Sequence, residues 1–139
     1  MRHFLIDTDT ASDDAVALVM ALNNPGVTVE AVTTVAGNVP LDQAVQNALY
    51  VVDVCGKSVP VHAGRSKPLL RGLETSQFAH GQDGMGDIGL PLRGREPAPG
   101  SATEAITSAV DRFETDLTFV TLGPLTNIAV ALLADPSLA

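Results

Sequence analysis

Four aspartates lie close together near the start of the chain, directly after a short apolar segment. They fall within eight consecutive positions and are Asp7, Asp9, Asp13 and Asp14. Carboxylates this close repel one another, and one of them takes up a proton unless a positive group lies between them. The segment that begins at Phe4 and contains all four has no Lys or Arg. We therefore predict that a bound cation compensates this charge.

The types of donor favour a hard cation. Asp7 and Asp9 are two residues apart, so their side chains point the same way on an extended backbone. Asp13 and Asp14 would follow in the first turn of a helix, where the helix dipole favours negative charge. A purely structural role explains each aspartate singly better than it explains four together. Oxygen donors without Cys or a required His are typical of Ca²⁺ or Mg²⁺ sites.

The hydrophobic pattern predicts alternating strands and helices. Strands are predicted at residues 3–8, 27–35, 59–62 and 117–122, and helices at residues 13–23, 40–55, 102–113 and 124–134. Ser12 and Ser101 are the predicted N-caps, and Gly56 is the predicted C-cap. This alternation predicts one α/β domain over residues 1–139, with an open, mainly parallel, Rossmann-like sheet and helices on both faces. Residues 63–100 break the pattern with a long, glycine-rich loop, which is typical of a functional segment.

Three separate segments are predicted to meet at one edge of this sheet. In open α/β folds, ligands bind beyond the carboxyl ends of the strands. The acidic segment, Asn38 and the turn at Leu122 and Gly123 all follow predicted strands. We therefore expect their polar groups to lie on the same side of the sheet.

The composition excludes several classes of partner. The formal net charge is -8, from 8 basic and 16 acidic residues. This balance disfavours nucleic acid and anionic membranes, which are bound mostly through Lys and Arg. The single cysteine, Cys55, excludes a disulfide framework. The chain has no N-terminal targeting signal and no apolar run of the ~20 residues that a membrane span needs, so we expect a cytoplasmic protein.

Four motifs, in this order, resemble those of the inosine–uridine-type nucleoside hydrolases. The first is DTD with the following DDA, at residues 7–15, and the second is TTVAGN at residues 33–38. The third is HGQDGMGD at residues 80–87, which resembles the mobile loop of that family, and the fourth is GPLTN at residues 123–127. The resemblance spans nearly the whole chain. It implies Ca²⁺-dependent hydrolysis of the N-glycosidic bond of ribonucleosides, giving a free base and ribose.

The resemblance also implies a metal site. Asp9 would bind Ca²⁺ and act as the general base on a calcium-bound water. Asp14 and the main-chain carbonyl of Leu122 would be further ligands, and Asp7 would support the site from its edge. These ligands are fewer than the 6–8 oxygens that Ca²⁺ takes.

For the substrate, the resemblance implies that Asp13 and Asn38 bind ribose hydroxyls and that His80 contacts the nucleoside from the loop.

Thr10 and Ala11 stand where the family commonly has Pro-Gly, which changes the turn but no ligand. Family members extend well past this length, and their C-terminal half carries a further calcium-ligating Asp and a His near the base. We therefore expect an N-terminal half with an incomplete site. We also expect a homo-oligomer.

Two other hypotheses stay open from the sequence. One is a Mg²⁺-dependent phosphatase of the haloacid-dehalogenase type, with Asp7 as nucleophile and Asp9 as acid and base. Ala11 stands where that motif normally has Thr or Val, and Asp13 and Asp14 would have no role. The other is a half-domain remnant that keeps the fold without catalysis.

Overall fold

A four-stranded parallel sheet forms the centre of the protein, in a computed structural model that describes residues 1–139. The order across the sheet is β3-β2-β1-β4, and every neighbouring pair is parallel. The strands are β1 (Arg2–Thr8), β2 (Val27–Thr34), β3 (Val61–Ala63) and β4 (Leu117–Thr121). The first strand is therefore central, with its carboxyl end in the middle of the sheet edge.

Helices cover both faces of the sheet. They are α1 (Ser12–Asn23), α2 (Leu41–Val54), the single turn α3 (Gln77–His80), α4 (Ala102–Phe113) and α5 (Thr126–Ala134). Short 3₁₀ turns occupy Glu114–Asp116 and Pro136–Leu138. None of the helices has the length and apolar character needed to cross a membrane. The predicted α/β class, with a mainly parallel sheet and helices on both faces, is confirmed.

Two adjacent residues of β1 show why this strand is continuously apolar. Leu5 and Ile6 point to opposite faces of the sheet, and both are almost completely buried. Ile6 belongs to the cluster packed under α1 and α2, which contains Leu18. Leu5 belongs to the cluster under α4 and α5, which contains Ile106. Each fully buried side chain of this kind contributes roughly 1.5–3 kcal/mol to folding.

The termini of the helices differ in part from the predictions. Ser101 forms a capping box with Glu104, as its side chain accepts a hydrogen bond from the Glu104 N–H while the Glu104 carboxylate accepts from the Ser101 N–H. The predicted cap at Ser12 is wrong, because Ala11 is the N-cap residue of α1 and no side chain caps it. At the end of α2 the C-cap is Cys55, and Gly56 follows with a φ of 63°, in the left-handed conformation that glycine favours.

Several element boundaries lie one or two residues from their predicted positions. β3 begins at Val61, because Pro60 has no N–H to contribute to the ladder. β4 ends at Thr121, so Leu122 lies in the following turn, and α5 begins at Thr126 rather than Pro124. The long loop returns to the carboxyl edge of the sheet, where the N–H of Ser76 donates to the carbonyl of Asn38 over 2.9 Å.

Candidate active site

The carboxyl end of β1 carries the acidic segment into the protein interior. Asp7 is fully buried, and Asp9 and Asp14 are 3% and 5% exposed. Asp13 is different, with 71% of its side chain exposed at the start of α1. Burying carboxylates is costly unless hydrogen bonds or a cation compensate them.

Asp7 is held by side chains from two other elements. Its Oδ1 accepts hydrogen bonds from Thr33 Oγ1 at 2.5 Å and from Asn127 Nδ2 at 2.7 Å. Asn127 also donates to the carbonyl of Thr34 and accepts from the N–H of Arg65, both at 2.9 Å. Burial raises the pKa of Asp7 in spite of these bonds. Through these hydrogen bonds, the buried Asp7 links β1 to β2 and to the start of α5.

Asp9 lies where two turns close on one carboxylate. Its Oδ2 accepts a hydrogen bond from the main-chain N–H of Asn38 at 2.6 Å, and its Oδ1 is buried with no partner within the chain. A Cβ at Gly37 would overlap Asp9 Oδ2, and a Cβ at Gly123 would lie 2.8 Å from Asp9 Oδ1. Both glycines let the backbone reach the carboxylate. The turn that contains Leu122 is therefore beside Asp9, as predicted.

Asp14 is the third buried carboxylate. Its Oδ2 accepts a hydrogen bond from Thr8 Oγ1 at 2.7 Å. Burial raises the pKa of Asp14 to about 7, and the nearby carboxylates of Asp9 and Asp13 add to this rise. A cation beside Asp14 would favour the ionised form of its carboxylate.

His80 lies over the start of α1. Its Nδ1 is 4.0 Å from Asp13 Oδ1 and 3.4 Å from Ser12 Oγ. The loop thus brings an imidazole from 67 positions along the chain to the exposed aspartate. The convergence of the acidic segment, Asn38 and the turn after β4 at one edge of the sheet agrees with the prediction, and His80 lies at the same edge.

Several polar residues that organise the site have no role in the predictions from sequence. Thr8 and Thr33 hold carboxylates, and Asn127 links three segments. Asn47, on α2, is fully buried and donates to the carbonyl of Thr10. The burial of Asn47 could have been predicted, because Asn47 lies three residues after Ala44 on the helix face that carries the buried apolar residues.

The donor set fits a hard cation in part. Asp9 and Asp14 supply adjacent carboxylates, and the unpartnered Oδ1 of Asp9 requires a positive or donating group. However, no three His, Cys, Asp or Glu side chains are grouped closely enough to hold a metal ion by themselves. Main-chain carbonyls, water or ligand hydroxyls would have to complete the coordination of Ca²⁺.

Metal-free protein is expected to lose stability as the pH rises from about 5 to about 7. The pKa of Asp14 is about 7 in the folded protein, against about 4 in an unfolded chain. Between these values the folded state keeps a proton that the unfolded state has released, so stability falls with rising pH until about 7. Asp7, whose pKa is also raised, acts in the same direction. Denaturant titrations in a chelating buffer at several pH values measure this trend.

The variant Asp14→Asn is the control for the pH dependence. It removes the titrating group, so the decline between a pH of about 5 and a pH of about 7 should be shallower than in the wild type. The carboxylates with lowered pKa, Asp87, Glu104 and Asp135, titrate below this window and do not mask the effect. Stability that increases with pH over the same range would contradict this interpretation.

Comparisons with known proteins agree on one family. The model of the inosine-uridine preferring nucleoside hydrolases matches residues 4–139. Uridine nucleosidase 1 of Arabidopsis thaliana is 39% identical over 99% of this chain and 42% of its own length. The inosine-uridine preferring nucleoside hydrolase of Leishmania major is 40% identical over 97% of this chain and 44% of its own length.

Solved structures show the same relationship. A plant nucleoside hydrolase, PpNRh1, superposes with a TM-score of 0.93 at 38% identity, over 99% of this chain and 44% of that one. The purine-preferring ribonucleoside hydrolase of Gardnerella vaginalis also gives 0.93, at 35% identity over 99% and 45%. The chain thus spans less than half the length of these relatives. On its sequence and its fold, the protein belongs to the inosine-uridine preferring nucleoside hydrolase family.

Proposed function

We propose that the protein acts in the Ca²⁺-dependent hydrolysis of the N-glycosidic bond of ribonucleosides, giving a free base and ribose. One observation carries the proposal. Asp9 Oδ1 is buried without a partner, beside Asp14, at the point where the acidic segment, the turn of Asn38 and the turn after β4 meet. Such an oxygen is available to accept a proton or to bind a cation.

Asp9 is the proposed general base. The hydrogen bond from the N–H of Asn38 fixes its Oδ2, which leaves Oδ1 to receive a proton from the attacking water. A base that is already oriented gains rate by its position as well as its basicity. Asp9, Asp14 and the main-chain carbonyl of Leu122 would hold the ion. When bound, Ca²⁺ would polarise the attacking water.

The exposed groups at the start of α1 suit the sugar. Asp13 is open to solvent and can accept hydrogen bonds from ribose hydroxyls. We assign Asn38 to the same hydroxyls, and His80, close to Asp13, to the nucleoside above them. Cleavage of an N-glycosidic bond passes through an oxocarbenium-like state, and the surrounding carboxylates would stabilise its positive charge.

The relatives support the class of substrate. Their names describe a uridine nucleosidase, an inosine-uridine preferring hydrolase and a purine-preferring ribonucleoside hydrolase. All of these substrates contain a ribose joined to a base, and the residues described above would face the ribose. The expected homo-oligomer and the expected cytoplasmic location stay predictions.

The phosphatase hypothesis has no support from the geometry. It requires Asp7 to attack a phosphorus atom, yet Asp7 has no exposed surface, so neither its Oδ1, which Thr33 and Asn127 occupy, nor its unpartnered Oδ2 can reach a substrate. It also leaves Asp13 and Asp14 without a function. The hypothesis of a non-catalytic half-domain makes a separate prediction, that a chain with Ca²⁺ bound releases no base.

One assay distinguishes these hypotheses. The 139-residue chain is incubated with inosine, with uridine and with an aryl phosphate, in Ca²⁺ or in a calcium chelator, and the products are separated by chromatography. We expect free base from a nucleoside in Ca²⁺, none in the chelator, and no phosphate. Base release that is unaffected by the chelator would contradict the role of the metal, and no release from calcium-loaded protein would favour the remnant.

A further inference from the structure

The loop at residues 81–87 is a compact unit that is held together by its own hydrogen bonds. The Asp87 carboxylate accepts from the main-chain N–H groups of Gln82 and Asp83, at 2.9 and 3.0 Å. Asp83 Oδ1 accepts in turn from the N–H groups of Met85 and Asp87, at 2.7 and 3.0 Å. Because these bonds lie within the loop, they do not fix its place on the protein. That place depends on the contacts that join the loop to other elements.

Asn47 joins this loop to the turn between β1 and α1. Its side chain is fully buried, and its Nδ2 donates to the carbonyl of Thr10 at 2.9 Å and to the carbonyl of Asp83 at 2.8 Å. Gln43, one helical turn earlier on α2, donates to Asn47 Oδ1 at 2.8 Å. This bond orients the amide, so that both of its N–H groups bind main-chain carbonyls. A single side chain thereby spans the two segments.

The packing around Gly84 shows how closely the loop backbone approaches Asn47. Gly84 has a φ of 74°, and a Cβ there would lie 2.6 Å from Val39 Cγ1 and 3.3 Å from Asn47 Nδ2. The same Cβ would be 3.8 Å from the Cα of Ala11, in the β1–α1 turn. The backbone of the loop therefore reaches both α2 and the turn, through a position that only glycine fits without strain.

We propose that Asn47 is a positioning residue, which sets the distance between the 81–87 loop and the β1–α1 turn. Through this distance it places His80, which directly precedes the loop, beside Asp13. Asn47 itself would touch neither the metal nor the sugar. The consequence for ribose binding rests on the proposed function, whereas the effect on the loop does not.

The variant Asn47→Leu tests the proposal. Leu has the branched shape of Asn and a larger volume but no N–H to donate, so the carbonyls of Thr10 and Asp83 lose a donor without a cavity. We expect main-chain hydrogen exchange at residues 81–87 to accelerate by about tenfold or more, because the opening of the loop becomes easier. Exchange is measured by mass spectrometry on the intact chain.

The neighbouring residue provides a matched control. Gln46 lies next to Asn47 on α2 and binds a later part of the same long loop, donating to the carbonyl of Arg95 at 2.7 Å and accepting from its N–H at 3.1 Å. Gln46→Leu should accelerate exchange near Arg95 and leave residues 81–87 unchanged. A second control, Val51→Ala, removes core methyl groups from the same helix. It shows the pattern of a general loss of stability.

Two results would overturn the proposal. One is unchanged exchange at residues 81–87 in Asn47→Leu, and the other is acceleration spread over the whole chain, as in Val51→Ala. If Asn47→Leu does not fold, Gly84→Ala tests the same contact from the side of the loop. It should give the same local acceleration, and its absence would count equally against the proposal.

Ribose affinity separates this proposal from the proposed function. We expect calorimetric titration with ribose in Ca²⁺ to show weaker binding to Asn47→Leu than to the wild type, with Gln46→Leu unaffected. Equal affinity in all three proteins would exclude a link between Asn47 and the sugar. A wild-type chain that binds no ribose would contradict the proposed function, while the exchange experiment still decides the role of Asn47.

Discussion

Replacing Asp9 by Asn is expected to abolish the proposed calcium-dependent release of base. Asn has the shape of Asp and can still accept the hydrogen bond from the N–H of Asn38, which is 2.6 Å long in the wild type. It cannot take up a proton, and it binds a cation more weakly because it carries no charge. Loss of a positioned general base alone reduces a rate by roughly 10²–10⁴-fold. The rate of base release from inosine or uridine measures the effect.

The control for this variant must change the net charge by the same amount. Asp111→Asn does so at an exposed position on α4, so its rate should equal that of the wild type. Circular dichroism of both variants checks that the fold is kept. An Asp9→Asn protein that keeps the wild-type rate would remove Asp9 from the mechanism.

Replacing Asn127 by Ala is expected to cost about 3 kcal/mol of stability or more. The variant removes one of the two donors to Asp7 Oδ1, the only side chain that binds the carbonyl of Thr34, and the acceptor for the N–H of Arg65. A buried polar group that loses its partner costs about 1–3 kcal/mol, and these losses occur together at the centre of the fold. Urea titration measures the free energy of unfolding.

Asn23→Ala is the matched control for Asn127→Ala. Asn23 is exposed at the end of α1, where a substitution usually changes the free energy of unfolding by no more than about 0.5 kcal/mol. A loss that is equally small in Asn127→Ala would show that Asp7 does not depend on this link. The predicted difference would instead show that the β1 end and the start of α5 are held by one amide.

The sequence was sufficient to predict the fold and the edge of the sheet at which the candidate residues meet, because both depend on local patterns. The continuous apolar run before Asp7 indicated a buried strand, and the carboxyl ends of parallel strands meet at one edge. Asn38 and the turn at Leu122 could be assigned to that edge for the same reason. The resemblance then supplied roles for these residues.

Hydrogen bonds between residues far apart in the chain could not be predicted from the sequence. Asn127 binds Asp7 across 120 positions, and no local periodicity reports such a contact. Asp7 was expected at the edge of the metal site, and its complete burial among Thr33 and Asn127 depends on that contact. Main-chain contacts could not be predicted either. The backbone N–H of Asn38 donates to Asp9, whereas the resemblance implies only a role for Asn38 toward ribose hydroxyls.

The proposed calcium site is tested most directly by calorimetric titration of the 139-residue chain with Ca²⁺. This measurement does not depend on turnover, and so it applies to a chain that spans less than half of its relatives. We expect one ion to bind with a dissociation constant in the millimolar range or lower, and Asp9→Asn to bind at least tenfold more weakly. No binding by the wild type, or equal binding by wild type and Asp9→Asn, would contradict a metal site built on Asp9.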